Sequence, residues 1–369
     1  MDDQKKGFFD TLGLLDWVCL VPTLFLFFVG IITVYSAGGG MAGRGGFFAL
    51  RQILWGGVSV GTFLFFYTVG YKKLLNLAYP IYGGVLALLC IVLLVGMTVK
   101  GSQSWFHLGP ARLQPSEIGK IALALLLAKH LCRYPPVTFA ALSSGALLAG
   151  LSCILVLAQP DMGSALVYAV MIFVALFVAG TPKGYLAGVC ALGIVSLPVG
   201  WQFLKEYQKM RILVFLDPSV DPLGAGYNVI QSRIAVGSGG LWGKGFMNGL
   251  QSKLRFLPEP HTDFAFSVFS EEFGFVGTVL VLLLFSLLLW RCIEVGLRSK
   301  DARAKVLVAV LSSWIWFQMA EGIGMSMGIL PVTGLPLPFM SYGGSSLVAL
   351  SAALGLVTSV YRTTLKSYE

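Results

Sequence analysis

The chain has 369 residues, of which 56% are hydrophobic and only 12% charged, and its mean hydropathy is +0.81. That composition excludes an ordinary water-soluble domain. The formal charge of +9, from 26 Lys and Arg against 17 Asp and Glu, is explained by membrane topology, and nucleic acid is not implied.

Apolar stretches long enough to cross a bilayer, roughly 20 residues each, lie at 14–36, 47–69, 74–98, 117–133, 137–158, 162–180, 184–203, 264–290, 304–328 and 344–361. They predict an all-α polytopic integral membrane protein of about ten transmembrane helices, organised as one membrane domain. Helices 1–7 occupy 14–203, a large extracytoplasmic loop 204–263, and helices 8–10 occupy 264–362. The first stretch is too long for a signal h-region and lacks a small-residue cleavage pattern, so it reads as a retained span. With both termini cytoplasmic, the inner side holds Lys5, Lys6, Lys72, Lys73, Lys129, Arg133, Lys183, Arg291, Arg298, Lys300, Arg303, Lys305, Arg362 and Lys366. The short outer segments then hold only Arg44, Arg51, Lys100, Arg112 and Lys120, an asymmetry that predicts this orientation. The six cysteines fall within spans or at their inner ends, positions that suit packing better than a disulfide or zinc pair.

Several polar groups are then predicted at membrane depth, where an ionisable side chain is costly and faces a cavity or a partner. In "QPSEIGK", Glu117 and Lys120 lie three apart on one helical face and are close enough to pair. In "QPDMGS", Asp161 opens the sixth span at a position suited to an N-cap. Spacing alone leaves a structural and a functional role open for both. The loop 204–263 is rich in Gly and too short to build a sizeable core away from the membrane. It is net basic, with Arg211, Lys244 and five further cations against Glu206, Asp217, Asp221, Glu259 and Asp263. Such a surface suits a phosphate-bearing ligand, or contact with headgroups. Its "GSGGLWGKG" lacks the spacing and strand-to-helix context of a phosphate loop. His107, His130 and His261 are too scattered for a zinc site.

The stretch "LPEPHTDFAFSVFSEEFGFVG" gathers Glu259, Asp263, Glu271 and Glu272 at the mouth of the eighth span. A single helix over 264–290 would be ~40 Å long and exceed a ~30 Å hydrocarbon core, so its first turns must stand among headgroups or face a wet cavity. At least one of Glu271 and Glu272 should then face the bundle interior, paired by a Lys or Arg. Spacing also allows Thr262 or Asp263 simply to cap this helix. The pairs Gly57/Gly61 and Gly324/Gly328 are predicted to permit close helix packing. Finally, Pro331, Pro336 and Pro338 in "GILPVTGLPLPFMSYGGSSLVAL" predict an irregular, sheltered segment before the tenth span.

Taken in order, "RQ" at 51–52, "QPSEIGK", "QPDMGS", "GSGGLWGKGF", "LPEPHTDFAFSVFSEEFG" and "LPLPFMSYGGSS" resemble the SEDS proteins of shape, elongation, division and sporulation, from end to end of the chain. The "TGLPLPF" form is closer to the elongation branch than to the division branch. The resemblance implies a peptidoglycan glycosyltransferase that polymerises lipid II at the outer face of the cytoplasmic membrane during elongation. It implies a class B penicillin-binding protein as partner, along with other membrane proteins of the elongation complex. It places the essential carboxylate at Asp263, and polar cavity residues at Arg51, Glu117, Lys120 and Asp161, with weaker transfer for Arg211, Lys244, His261 and Ser341. The chain departs from the pattern at "AEG", where Gly322 stands in place of an expected Asn and Glu321 is an extra acid.

Chemistry fits that implication. A lipid pyrophosphate is a good leaving group once its charge is neutralised, whereas the acceptor sugar hydroxyl must lose a proton. One carboxylate base therefore suffices, in contrast with the paired acids of most glycoside hydrolases. A divalent cation, Mg²⁺ or Mn²⁺, is expected to bridge phosphate oxygens and carboxylates. The alternative is a lipid II flippase, which predicts polar sites near midplane and repeated halves. The acids here gather at outer ends and no internal repeat is visible. A scaffold protein would leave the intramembrane acids without a purpose.

Overall fold

In the computed structural model the described residues are 14–99, 101–109, 111–254 and 256–367; Lys5, Lys6, Lys100 and Arg255 of the charge pattern lie outside the described residues. The chain forms α1 Trp17–Ala37, α2 Gly45–Val69, a short α3 Tyr71–Asn76 and α4 Ala78–Val95. Next come α5 Pro115–Arg133, α6 Phe139–Ala158, α7 Met162–Val178 and α8 Lys183–Phe203. The outer loop contains α9 Glu206–Leu216, α10 Ala225–Ser238 and the single turn α11 Leu250–Lys253; the chain closes with α12 Ala265–Arg298, α13 Ala302–Met327 and α14 Gly344–Leu365. Ten of these are long helices matching the ten predicted stretches, and the protein is a multi-pass membrane protein.

Eight of the ten are long and apolar enough to cross a membrane, and α7 is apolar but only 17 residues long. The remaining one, α5, carries Glu117, Lys120, Lys129, His130 and Arg133, yet Pro115–Leu131 are buried except for Ile118 and Lys129. A helix sheathed by other helices meets no lipid, so its composition is released from the demand for apolarity. At the other extreme, α8 buries none of its residues and is apolar almost throughout. α14 packs along α2, and α12 lies between α1 and α13.

Polar contacts identify the two ends of the bundle. At one end Arg291 Nε donates to both Asp16 oxygens at 3.0 and 2.8 Å, and its guanidinium lies 4.9 Å from the Tyr361 ring. The start of α1 and the end of α14 therefore share one end. At the other, Ser36 donates to Glu272, and Gln52 Nε2 donates to the Ser341 carbonyl at 3.2 Å. An antiparallel ribbon, β1 Met97–Val99, β2 Ser102–Leu108 and β3 Ala111–Leu113, forms the connection from α4 to α5.

Two expectations are corrected. The eighth span is not one continuous helix over 264–290: Gly274 interrupts α12 with φ 64° and ψ −161°, and the helix runs on to Arg298. Ala265–Glu272 are all buried, so these turns stand inside protein instead of among headgroups. The break exposes backbone groups, which need partners at membrane depth, and "GSGGLWGKG" supplies them. Phe275 N donates to Gly240 O at 2.8 Å and Val276 N to Leu241 O at 3.1 Å, while Lys244 N and Gly245 N donate to Glu271 O and Glu272 O, each at 3.0 Å. A Cβ on Gly239 or Gly243 would overlap the carbonyls of Ser270 or Glu272. Second, Gly57 and Gly61 meet nothing within 4 Å and do not mediate packing within this chain, because that face of α2 points outward; Gly324 does pack, against Leu330, and Gly328 caps α13 in the left-handed region.

Candidate active site

Four segments converge at the end of the bundle opposite the start of α1 and the end of α14. α9, α10, the turn at 257–264 and the loop after α13 surround a cleft of about 190 Å³, whose polar lining includes Arg211, Asn228, Glu259 and Asp263. Asp263 stands on a turn in which the amides of Thr262 and Asp263 both donate to Glu259 O at 3.2 Å, with Glu259 itself at φ 47°. Leu257 and Phe264 flank the turn and are buried in a small cluster with Ala37, Ala235 and Val268. That cluster holds the turn while Asp263 remains partly exposed. The N-cap of α12 is Phe264, whose side chain makes no cap hydrogen bond.

Arg211 enters from α9. Its Nη1 donates to Thr333 O at 3.2 Å and its guanidinium lies 5.7 Å from the Tyr207 ring. α9 is anchored in turn by Tyr207 Oη and Gln208 Nε2, which donate to Pro160 O at 3.2 and 3.3 Å. Burial raises the Tyr207 hydroxyl above its ordinary value, with the Arg211 charge opposing it, so the group stays a donor at neutral pH.

One wall beside the turn is aromatic. His261 stacks on Phe48 with centroids 4.3 Å apart and meets Tyr342 edge-on at 5.9 Å. Its carbonyl accepts from Tyr342 N at 2.9 Å, and its Nε2 lies 3.8 Å from Glu259 Oε2. Arg51 reaches this wall from α2, with its guanidinium 4.6 Å from the centre of Phe47. Ser341 is buried below it, accepting at Oγ from Leu337 N at 3.0 Å. The proline-rich segment is irregular, as predicted, and it closes the cleft: a Cβ on Gly334 would lie 3.9 Å from Asp263 Oδ2.

The other predicted residues are elsewhere. Glu117 and Lys120 pair at 2.6 Å deep in the bundle, exposed by 2% and 0%, with Nζ 4.8 Å from the Trp314 ring. Asp161 caps α7, accepting from Ser164 N at 3.1 Å, and also accepts from Gln114 Nε2 at 2.9 Å. Lys244 pairs with Glu271 at 2.7 Å and donates to Ser238 Oγ at 2.7 Å, beside the α12 break. Of the predicted set, the cleft thus brings together Asp263 and Arg211, with His261, Arg51 and Ser341 in the adjoining wall. Sequence reasoning missed Asn228 and Thr333, and it quoted Gln52 without a role. Their only signal was membership of the quoted motifs or the long loop.

Among the described residues, no group of three or more His, Cys, Asp and Glu could hold a metal by itself. Asp263 and Glu259 both line the cleft, and two carboxylates with substrate phosphates and water are a sufficient donor set for Mg²⁺.

Comparison with known proteins agrees with this architecture. The family model of FtsW, RodA and SpoVE, described as cell cycle protein, matches residues 16–366. The chain is 38% identical over 365 residues to peptidoglycan glycosyltransferase MrdB of Escherichia coli (strain K12), covering 97% of this chain and 96% of that one. Among solved structures, "Structural coordination of polymerization and crosslinking by a peptidoglycan synthase complex" contains a chain that superposes with a TM-score of 0.82 at 38% identity, covering 95% of this chain and 98% of that one. The rod shape determining protein RodA of Thermus thermophilus superposes with a TM-score of 0.71 at 32% identity, covering 94% and 97%.

Proposed function

The chain belongs to the FtsW/RodA/SpoVE family, and we propose that, as a peptidoglycan glycosyltransferase, it polymerises lipid II into β-1,4-linked glycan in the cleft that Asp263 lines. The observation that carries the site assignment is a partly exposed carboxylate held on a buried turn in the same cleft as an arginine. With cytoplasmic termini, the cleft opens at the outer face of the inner membrane, beside the bilayer that retains the substrate's lipid.

The reaction follows from charge. The acceptor sugar 4-hydroxyl attacks the donor's anomeric carbon, the bond from that carbon to phosphate breaks, and the lipid pyrophosphate leaves with the electron pair. The hydroxyl proton passes to the Asp263 carboxylate as the new bond forms. Arg211 receives the growing negative charge on the pyrophosphate, since a guanidinium matches phosphate oxygens in pairs. Arg51 offers a second cation at the aromatic wall, and the rings of Phe48, His261 and Tyr342 supply a flat surface on which a sugar can rest. Attack opposite the leaving group inverts the α-linked donor to a β-linked product. A bound Mg²⁺ or Mn²⁺, held by Asp263 and Glu259 with substrate phosphates, would supply charge neutralisation. A class B penicillin-binding protein, bound through transmembrane contacts, would cross-link the strands released.

The test is reconstitution of the purified protein with its penicillin-binding partner, lipid II and Mg²⁺, with glycan read by gel. Asp263→Asn should lower polymerisation by roughly 10² to 10⁴-fold, the contribution of a general base, while the protein still folds and elutes normally. Equal polymerisation by wild type and variant would remove Asp263 from the role of base.

A further inference from the structure

α13 carries a single carboxylate, Glu321, inside the bundle at 2% exposure. The Thr333 amide donates to its Oε1 at 3.3 Å, and the Thr333 hydroxyl donates to the same oxygen. The second oxygen, Oε2, is buried and has no hydrogen-bond partner. Holding a carboxylate in such a place is costly, and a neutral or apolar side chain would fill the space more cheaply. The contacts run on toward the cleft. Thr333 O accepts from Arg211 Nη1 at 3.2 Å, and the next residue, Gly334, stands beside Asp263 Oδ2.

We infer that Glu321 is a positioning residue for glycosyl transfer: it pins the Thr333–Gly334 segment to α13 and thereby fixes the Arg211 guanidinium in the cleft that Asp263 lines. The segment needs such a pin because residues 331–337 form neither helix nor strand and cannot be held by a regular hydrogen-bond ladder. Two hydrogen bonds to one rigid helix replace that ladder. Glu321 touches no substrate in this scheme and acts only through Thr333 and Arg211.

The inference rests on the glycosyl-transfer reading of the cleft, and a double-mutant cycle separates the two. kcat/KM for lipid II is measured in the reconstituted complex for wild type, Glu321→Ala, Arg211→Ala and the double variant. Glu321→Ala should lower kcat/KM about tenfold in the wild-type background and no more than about twofold in the Arg211→Ala background, the signature of residues acting through one another. Glu321→Gln keeps an acceptor for Thr333 and should stay within about threefold of wild type. If Glu321→Ala fails to fold, Thr333→Val, which deletes the hydroxyl donor, enters the same cycle. Equal losses in both backgrounds, or a Gln variant as poor as the Ala variant, would overturn the inference alone. Absence of polymer from the wild-type complex would overturn the transfer reading and this inference with it.

Discussion

Four carboxylates crowd residues 259–272, and the structure gives them different work. Glu259 and Asp263 line the cleft; Glu271 and Glu272 serve the break in α12. Spacing supported part of this assignment, since a cation was expected to meet Glu271 or Glu272 inside the bundle. That cation is Lys244, 27 residues away along the chain, and no local pattern reveals a contact of that separation. Asp263 was identified by resemblance, because the sequence allowed it to be an ordinary helix cap; only the fold shows the cap at Phe264. The Lys244–Glu271 pair leads to a prediction. Glu271 is fully buried and Lys244 partly exposed, so Lys244→Ala leaves a carboxylate with only the Gln251 amide as partner. It should cost about 3 kcal/mol, the low end for breaking a buried pair. The paired change Lys244→Met with Glu271→Gln should recover most of that loss. Thermal unfolding in detergent measures both, and equal losses for single and paired variants would show that the charge pairing contributes nothing.

Hydropathy located the long helices, since each must satisfy its own backbone and present apolar residues wherever lipid touches it. Interruptions within a hydrophobic run are much less visible. Gly274 lies just after Glu271 and Glu272 and leads into a long apolar run, and the partners that satisfy the break come from a loop far upstream. The glycines of "GSGGLWGKG" bring backbone close to an electronegative partner, the carbonyls of Ser270 and Glu272. Gly274→Ala should therefore act on two elements together. The left-handed conformation strains any side chain, and a Cβ there would overlap Gly243 N, so a loss of about 3 kcal/mol or more is expected. Limited proteolysis should cut residues 239–249 faster in this variant than in wild type, as the loop loses its dock. A variant with unchanged melting and unchanged cleavage would mean that the break and the loop are independent.

At the scale of the whole molecule the protein is inverted with respect to a soluble one: the apolar helix α8 buries none of its residues, while α5, with Glu117, Lys120, Lys129 and Arg133 in 19 residues, is at the centre. Hydropathy reports what lipid sees and says little about a helix such as α5 that lipid never meets. Its buried Glu117–Lys120 pair also fits the resemblance-based role in substrate binding, and the two roles predict different outcomes. Lys120→Met alone leaves Glu117 as an uncompensated charge in the bundle and should cost about 3–5 kcal/mol. Lys120→Met combined with Glu117→Gln removes the charge and keeps the volume, so the fold should return to near wild-type stability. Polymerisation by that folded double variant then decides the role. Activity near wild type assigns the pair to the scaffold, in keeping with its sealed position and its absence from the Asp263 cleft. Activity lost at full stability would mean that the bundle opens during turnover and that the ion pair meets the substrate.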